Sequence, residues 1–458
     1  MHSRPKTSFL SSPGLYASCA VVMMGAGAAA QQVEYEITVL PQVPDAIYSY
    51  ATDINNAGQV VGFSSFPWNP YAYRGWIWSE ADGLEFLPDP PGEDRLRYAA
   101  QAISDTGFIA VDGGGDFGNA WVYKDGVYHM TGTPATPANC VDVNNAGDAV
   151  GWYGSAFFGV HLFKYTLAGG FEQLLAPQIG RAYGINNHGI AVANSGADGW
   201  RIYPDGTAEI IEGLPSFGSR SPSRITDGGI ITGSAGAHDF SAGFYYTDAG
   251  GMIEIPWIST WNWAVGVADD GTVAGSSSNS IATWIWHVGD AQVTWLPGLI
   301  DPNSGYRLDR VEAINNRGQM VVDAHVDDWQ NPDRLIVLTP VDARPYPILG
   351  QTGLRRGQET EFVTSGAEPG EEVYFIYSTA GLGEGPCPRQ LGGLCLDLLK
   401  PVLLGTAVGD ANGIARLAVT VPSRAPLGQM VHTQSVIRRG PSGADSVKSE
   451  PFYATITD

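Results

Sequence analysis

DINNAGQVVG, residues 53–62, is the stretch of sequence that decides the fold. Its centre is an apolar residue, two mostly polar residues, a variable residue and glycine. This pattern occurs seven times, at residues 54–58, 103–107, 143–147, 185–189, 225–229, 267–271 and 314–318. The copies recur every 40 to 49 residues, which is the period of a four-stranded propeller blade. The repeat therefore predicts seven similar β-sheets.

Each copy has the chemistry of a tight turn. Its third residue is always Asn or Asp, whose short side chain can bond nearby backbone N–H groups and cap a turn. Its glycine supplies a positive φ. We therefore expect a short hairpin, a type I turn with a glycine bulge, between the first and second strands of each sheet.

The segments between the turns complete the sheets. An apolar strand follows each turn, then an aromatic strand such as residues 76–78 or 284–286, a second turn and an outer strand. The seventh repeat has no obvious fourth strand after residues 335–338. Residues 36–40 are expected to supply it and to close the ring, which removes two exposed sheet edges. The predicted fold is all-β, with a closed seven-bladed β-propeller over residues 31–340.

The DINNAGQVVG run and its relatives resemble the repeats of the extracellular HAF-repeat proteins of bacteria. The resemblance covers residues 31–340, although residues 108–111 and 190–193 depart from the trailing glycine. It implies an exported propeller-like protein. It implies no reaction and no catalytic residue.

The repeats end near Pro340, and the residues after it have a different pattern. Residues 341–350, which contain Pro345 and Pro347, are interpreted as a linker. Residues 351–458 contain six or seven short apolar segments that predict an antiparallel β-sandwich. The stretch CLDLLKPVLLGTAVGDANG, residues 395–413, resembles sandwich modules of other exported bacterial proteins and implies an accessory or surface-association role. Residues 410–413 are interpreted as a hairpin turn rather than a calcium loop.

The amino end has the pattern of an export signal. Arg4 and Lys6 precede an apolar run at residues 15–24 and small residues at 25–30. We therefore expect a signal peptide over residues 1–30, a mature start at Gln31, and a secreted, extracellular or cell-surface location. A lipoprotein anchored through Cys19 is the weaker alternative.

The cysteines fit an exported protein. Cys387 and Cys395 lie close together in a segment rich in Pro and Gly, and we expect a disulfide between them. Cys140 lies in an apolar run and is interpreted as a small buried hydrophobic residue rather than a nucleophile.

The charge limits the partners. The chain has 47 Asp and Glu against 25 Lys and Arg, for a net charge of -22. Nucleic acid is an unfavourable partner for such a chain, because phosphate binding needs clustered basic residues. After the amino end, no apolar segment reaches the 18 or more residues that span a membrane. Glycans and proteins remain as candidate ligands, and the oligomeric state stays open.

Long individual loops are expected on the face opposite the repeated turns, where binding sites concentrate. These loops contain aromatic rings and carboxylates, which suit sugar rings because apolar faces stack while hydroxyls bond to oxygen atoms. The alternative is that the rings pack between sheets and the acids only solvate loops. The candidate ligand-binding residues are Trp68, Tyr71, Tyr73, Asp112, Asp116, Asp239, Trp257, Trp261, Asp327 and Trp329.

These observations favour a non-catalytic binding or cell-surface scaffold protein. The sequence shows no GxSxG elbow, HExxH pair or phosphate loop, and we assign no catalytic residue, cofactor or metal ligand. Calcium at residues 112–116 or at Asp327 and Asp328 is an alternative to simple solvated loops. The alternative function is a carbohydrate-active hydrolase or lyase that uses loop carboxylates.

Overall fold

The computed structural model describes residues 34–458 except 68, 93–96, 114–117, 156–158, 176–179, 214–217, 238–239, 257–260, 278–281, 327–333, 342–345 and 384. The described residues are all-β, with 3-10 turns at Leu296–Gly298, Arg389–Leu391 and Pro441–Gly443. No helix among them is long and apolar enough to cross a membrane. The expected signal peptide, residues 1–30, lies outside the described residues.

Seven antiparallel sheets of four strands follow one another along the chain, as the repeat predicts. The first two are β2 (Tyr48–Ile54), β3 (Val60–Phe66), β4 (Asn69–Ser79), β5 (Gly83–Phe86), and β6 (Ala99–Ile103), β7 (Ile109–Asp112), β8 (Ala120–Lys124), β9 (Val127–Met130). The third and fourth are β10 (Ala138–Val143), β11 (Ala149–Ser155), β12 (Gly159–Thr166), β13 (Gly170–Gln173), and β14 (Arg181–Ile185), β15 (Ala191–Ser195), β16 (Asp198–Ile202), β17 (Ala208–Ile210).

The remaining sheets keep the same order, except that the seventh takes its outer strand from the amino end. The fifth and sixth are β18 (Ser219–Ile225), β19 (Ile231–Ala237), β20 (Phe240–Thr247), β21 (Gly251–Glu254), and β22 (Asn262–Val267), β23 (Val273–Ser277), β24 (Ala282–Trp286), β25 (Thr294–Trp295). The seventh is β26 (Tyr306–Ile314), β27 (Met320–Val326), β28 (Arg334–Pro340) and β1 (Tyr35–Val39).

The pairing of β1 with β28 is the one predicted from the sequence. Ile37 lies opposite Leu338, and the Leu40 N–H donates to the Leu335 carbonyl at 2.9 Å. The first strand of each sheet contacts the first strand of the next, and β26 of the seventh sheet contacts β2 of the first. We call the end of the sheets that carries the repeated turns the turn face, and the opposite end, where each first strand begins, the loop face.

The repeated turn differs from the prediction at one position. The glycines have positive φ, 80° at Gly147 for example, as expected. However, in every copy except the sixth, where it is Ala268, the second residue caps the turn. Asn144 Oδ1, for example, accepts from the N–H groups of Ala146 and Asp148 at 3.1 and 3.0 Å. The third residue instead reaches the adjacent copy, and Asn145 Oδ1 accepts from the Asp105 N–H at 2.9 Å. The capping role predicted for the third residue is therefore wrong, because the second side chain already binds those N–H groups.

Apolar side chains between neighbouring sheets form the core. Trp76, Trp121 and Trp284 of the third strands are almost fully buried, and burying one large apolar side chain contributes about 1.5–3 kcal/mol. One core cluster joins Trp76 of the first sheet to Val337 of the seventh. The packing between these two sheets is thus of the same kind as between sequential sheets.

The carboxyl-terminal residues form two facing sheets around a separate core, consistent with the predicted sandwich. One contains β29 (Ile348–Gln351), β30 (Glu359–Ser365) and β33 (Ala415–Thr420), and the other contains β31 (Glu372–Ser378), β32 (Val402–Val408), β34 (Met430–Ile437), β35 (Val447–Lys448) and β36 (Phe452–Thr455). Phe362 and Phe375 pack together between them, with ring centroids 6.4 Å apart. Strand β29 begins inside the segment interpreted as a linker and ends one residue beyond it, and the domain boundaries stay a prediction.

The cysteines are arranged as expected. Cys387 and Cys395 form a disulfide, and Cys140 is free and fully buried. Burial raises the pKa of the Cys140 thiol, so its reactive thiolate form is disfavoured. At the predicted hairpin turn, Asp410 Oδ1 accepts from the N–H groups of Asn412 and Ile414.

Candidate functional site

The sandwich lies against the turn face. Asn316 and Asn187, the third residues of two repeated turns, donate through Nδ2 to Glu450 at 2.5 and 3.2 Å. The Tyr453 hydroxyl donates to the carboxylate of Asp148, the residue that directly follows the repeated turn at 143–147. These contacts cover the turn face, so the candidate binding surface is at the loop face.

A group of carboxyls is buried where the two parts meet. Glu450 is in hydrogen-bond contact with Asp227 and Asp269, and the Tyr346 hydroxyl lies 3.3 Å from Glu450 Oε1. Burial raises the pKa of Asp227 to about 6, and burial together with the neighbouring acids raises the pKa of Asp269 and Glu450 well above their usual values. The group therefore retains protons at a pH where exposed acids have lost them.

One cation, Arg224 in the first strand β18, contacts the first strands of two other sheets, β2 and β14. Arg224 Nη2 lies 3.5 Å from Asp53 Oδ1, and Nη1 donates to the Tyr183 carbonyl at 3.2 Å. Burial raises the pKa of Asp142 to about 6, and the Arg224 charge opposes that rise. In the other four copies the residue before the repeated motif is small: Ala102, Gly184, Gly266 and Ala313. The sequence analysis did not identify this position, which is charged in only three copies.

At the loop face, exposed aromatic rings mark the starts of two first strands. Tyr48 and Tyr50 at β2 are 56% and 37% exposed, and Trp261 and Trp263 at β22 are each 38% exposed. The Tyr50 ring lies 5.2 Å from Phe63, which lies 5.5 Å from Tyr73. We call Tyr48, Tyr50, Phe63 and Tyr73 the aromatic row.

The aromatic row includes one residue from the sequence prediction and three that the prediction missed. Tyr73 was a candidate, whereas Tyr48, Tyr50 and Phe63 belong to strands that were treated only as scaffold. The spacing of Tyr48 and Tyr50 places them on one side of a strand. That alternation is the signal that identifies the row.

The other predicted site residues are only partly described. Asp112 is buried, and its Oδ2 accepts from Gln101 Nε2 at 2.7 Å, whereas Trp261 is exposed at the loop face. Trp68, Asp116, Asp239, Trp257, Asp327 and Trp329 lie outside the described residues, as does the side chain of Tyr71. Their grouping into one site stays a prediction. Among the described residues, no group of three acids, histidines or cysteines could hold a metal ion.

Three charged or titratable side chains lie together on the first two strands of the seventh sheet, β26 and β27. Arg310 donates hydrogen bonds to the carboxyl groups of Glu312 and Asp323, at 2.5 and 3.2 Å. Burial and the neighbouring Asp323 raise the pKa of Glu312 to about 9. A protonated Glu312 beside Asp323 is the kind of pair that can donate and accept a proton. Asp323 also lines a cleft of about 460 Å³ with residues 40–50.

Comparisons with known proteins show similarity of fold at low identity. No family model and no curated protein matches the chain. A streptogramin B lyase structure is similar over 67% of this chain and 98% of that chain, with 11% identity and a TM-score of 0.47. A fungal alcohol oxidase of the AA5 family, in complex with copper, is similar over 93% and 99%, with 11% identity and a TM-score of 0.46. An inactive virginiamycin B lyase from Staphylococcus aureus with quinupristin is similar over 67% and 100%, with 12% identity and a TM-score of 0.45. Similarity at this level assigns no activity to the chain.

Proposed function

We propose that the chain is a secreted binding protein whose seven sheets form a closed seven-bladed propeller, and that the propeller binds a glycan at its loop face. The observation that carries this proposal is the position of the sandwich. Because Glu450 and Tyr453 hold the sandwich on the turn face, the loop face is the end of the propeller that is left for a ligand.

The closed ring is supported by contacts between the first and last sheets. The backbone N–H of Asn316 in the seventh turn donates to Asn56 Oδ1 in the first turn at 2.7 Å. The same bond links neighbouring turns elsewhere, such as Asn145 to Asn187 at 2.8 Å. A ring of first strands has a central mouth at each end, and the aromatic row begins at the loop-face mouth.

The chemistry of the loop face favours a neutral or basic glycan. Exposed rings such as Tyr48 and Trp263 offer flat apolar surfaces on which sugar rings stack. Gln101, Arg310 and the nearby carboxyls offer donors and acceptors for hydroxyl groups. A net charge of -22 repels polyanionic ligands over the distance of a Debye length.

Secretion is supported by three features of different kinds. They are the signal-like amino end, the resemblance to HAF-repeat proteins, and the disulfide between Cys387 and Cys395, which is typical of oxidising compartments. Mass spectrometry of culture medium tests secretion directly. A secreted chain that begins at Gln31 is expected, and a chain retained in the cytoplasm with residues 1–30 intact contradicts it.

A glycan array followed by titration calorimetry tests the ligand. We expect Tyr50→Ala and Trp263→Ala to weaken binding of the selected glycan at least about tenfold, because a stacked ring contributes on the order of 1 kcal/mol or more. Trp295→Ala is the matched control: Trp295 is 42% exposed but lies on the outer strand β25. Equal losses in all three variants, or no glycan bound by the wild type, would contradict the proposal.

The pair formed by Glu312 and Asp323 favours a second candidate, a carbohydrate-active hydrolase or lyase. Here a protonated Glu312 acts as the acid and Asp323 as the carboxylate partner. Release of reducing sugars from a polysaccharide panel is the measurement. Turnover that falls at least about a hundredfold in Glu312→Gln supports this candidate. No product with any substrate, or unchanged turnover in the variant, excludes it.

A further inference from the structure

A second cavity lies between the sandwich and the turn face, away from the loop face. Its volume is about 460 Å³, within the range of small-molecule pockets, which often occur between domains. Phe108, Ala146 and Leu167 line it on the side of the sheets. Ile348 and Val363 line it on the side of the sandwich. The walls are therefore mainly apolar.

Small residues keep this cavity open. Gly350 lines it, and a Cβ atom built on Gly350 would meet no other atom within 4 Å. Leu349, the preceding residue, is buried in the sandwich core, so Gly350 faces the opposite side of strand β29. Leu167 is 41% exposed although it lines the cavity. An apolar ligand would cover this surface.

The cavity contains one cation, the ammonium of Lys124, and the carboxylate of the adjacent Asp125 interacts with it only through space. The Lys124 ammonium lies 4.2 Å from the centre of the Phe108 ring, and among the described residues it forms no ion pair. The side chain is half-buried, and desolvation lowers the pKa of its amine. The charge of Asp125 offsets this desolvation only in part. A charge at an apolar wall is unfavourable, and an anionic group bound there would stabilise it.

The polar groups on the opposite wall do not supply that anion. Asp105 lines the cavity, but its two carboxylate oxygens already accept from the N–H and Nδ2 of Asn56, each at 2.8 Å. Gln351 also borders the cavity, but its side chain lies on the same side of β29 as Leu349, and its Oε1 accepts from the Thr433 hydroxyl at 2.6 Å. The cavity therefore offers an ammonium and apolar walls.

We propose that this cavity binds a small amphipathic carboxylate, with its carboxylate on Lys124 and its apolar body between Phe108 and the outer face of β29. Such a ligand contacts both the sheets and the sandwich at once. Its binding would therefore stabilise their association. This site is independent of the glycan site, since it lies at the turn face.

Titration calorimetry of the full-length mature protein with sodium decanoate tests the proposal. Decanoate is expected to bind with one-to-one stoichiometry, and decanol, which lacks the charge, at least about tenfold more weakly. Lys124→Met is expected to remove this preference for decanoate over decanol, and Lys124→Arg to retain it. No binding of decanoate to the wild type, or equal affinities for the two probes, would overturn the proposal.

A second variant distinguishes binding of decanoate in the cavity from nonspecific binding to an apolar surface. Gly350→Val places a side chain in the open space, and decanoate binding is expected to fall at least about tenfold while the melting temperature is kept. Gly353→Val is the matched control, since Gly353 also has open space around its Cβ position but does not line the cavity. Equal decanoate affinity in the two variants would show that the ligand binds elsewhere.

Discussion

At the scale of residues, the third position of the repeat links one sheet to the next. The backbone N–H of this residue donates to the Asn or Asp side chain of the following copy, as Asp105 does to Asn145. The described bonds of this kind join copies one to five in succession, copy six to seven, and copy seven to one. The preference for Asn and Asp follows, because a longer side chain would place its oxygen beyond the neighbouring N–H.

We expect Asn145→Ala to lower the free energy of unfolding by about 1–3 kcal/mol, because the Asp105 N–H loses its acceptor in a partly buried site. Urea unfolding followed by tryptophan fluorescence measures the change. Asn412→Ala, in the exposed turn of the sandwich, is the control and is expected to stay within about 0.5 kcal/mol of the wild type. Similar values for both variants would show that the turn side chains do not join the sheets.

At the scale of elements, strand β1 is unlike the other outer strands. It pairs with β28, which lies at the other end of the repeat region in sequence. Glu36 therefore lies opposite Thr339 in the sheet. The outer strand β5 pairs with β4, and Glu85 lies opposite Ile77 nearby in the chain. Loss of either strand leaves the edge of its neighbour unpaired, but loss of β1 also removes the pairing that holds the amino end to the seventh sheet.

Glu36→Pro and Glu85→Pro test this difference, since each removes one backbone donor from an exposed outer strand. We expect Glu85→Pro to cost about 1–3 kcal/mol, and Glu36→Pro to cost more and to increase aggregation through the free edge of β28. Urea unfolding and light scattering are the measurements. Equal stability and equal scattering would contradict the proposal that β1 closes the ring.

The sheets were predictable from the sequence because their signals are local. Each copy of the motif places a turn, and the alternation of apolar and aromatic strands follows from residues close together in the chain. The bond from Tyr453 to Asp148 joins residues 305 positions apart and has no local signal. The contacts of Arg224 also have no local signal, because Arg224 is a single charge at a position that varies between copies. The aromatic row could have been predicted from the alternation of Tyr48 and Tyr50, but the contacts of the sandwich could not.

At the scale of the whole molecule, the buried carboxyls predict that the association of sandwich and sheets depends on pH. Glu450 is the central group, and the charged or titratable groups that interact with it and its partners are Asp105, Asp227, Asp269, Tyr346, Asp397 and Lys448. Because the pKa of Glu450 is raised on folding, its contribution to stability is present below its usual pKa. That contribution is lost as the pH rises through the folded value.

We therefore expect Glu450→Gln to be more stable than the wild type at pH 8, by on the order of 1 kcal/mol, and to differ little near pH 4. Burial lowers the pKa of His188 and His432 to about 4, so these histidines make the folded state less stable as the pH falls below 6.5. This effect is the same in the wild type and in Glu450→Gln, and it cancels in the difference between their stabilities. Melting temperatures across this pH range give the result. Glu368→Gln, at an exposed position, is the control, and a constant difference for Glu450→Gln at every pH would contradict the assignment.

The most direct test of the arrangement is a double-mutant cycle between the sandwich and the turn face. Tyr453→Phe, Asp148→Ala and the double variant are compared with the wild type by urea unfolding. If the sandwich covers the turn face, the two positions are coupled by at least about 1 kcal/mol, since the hydroxyl donates to a buried carboxylate. Effects that add to within about 0.5 kcal/mol would show that the two residues do not touch, and the assignment of ligand binding to the loop face would lose its basis.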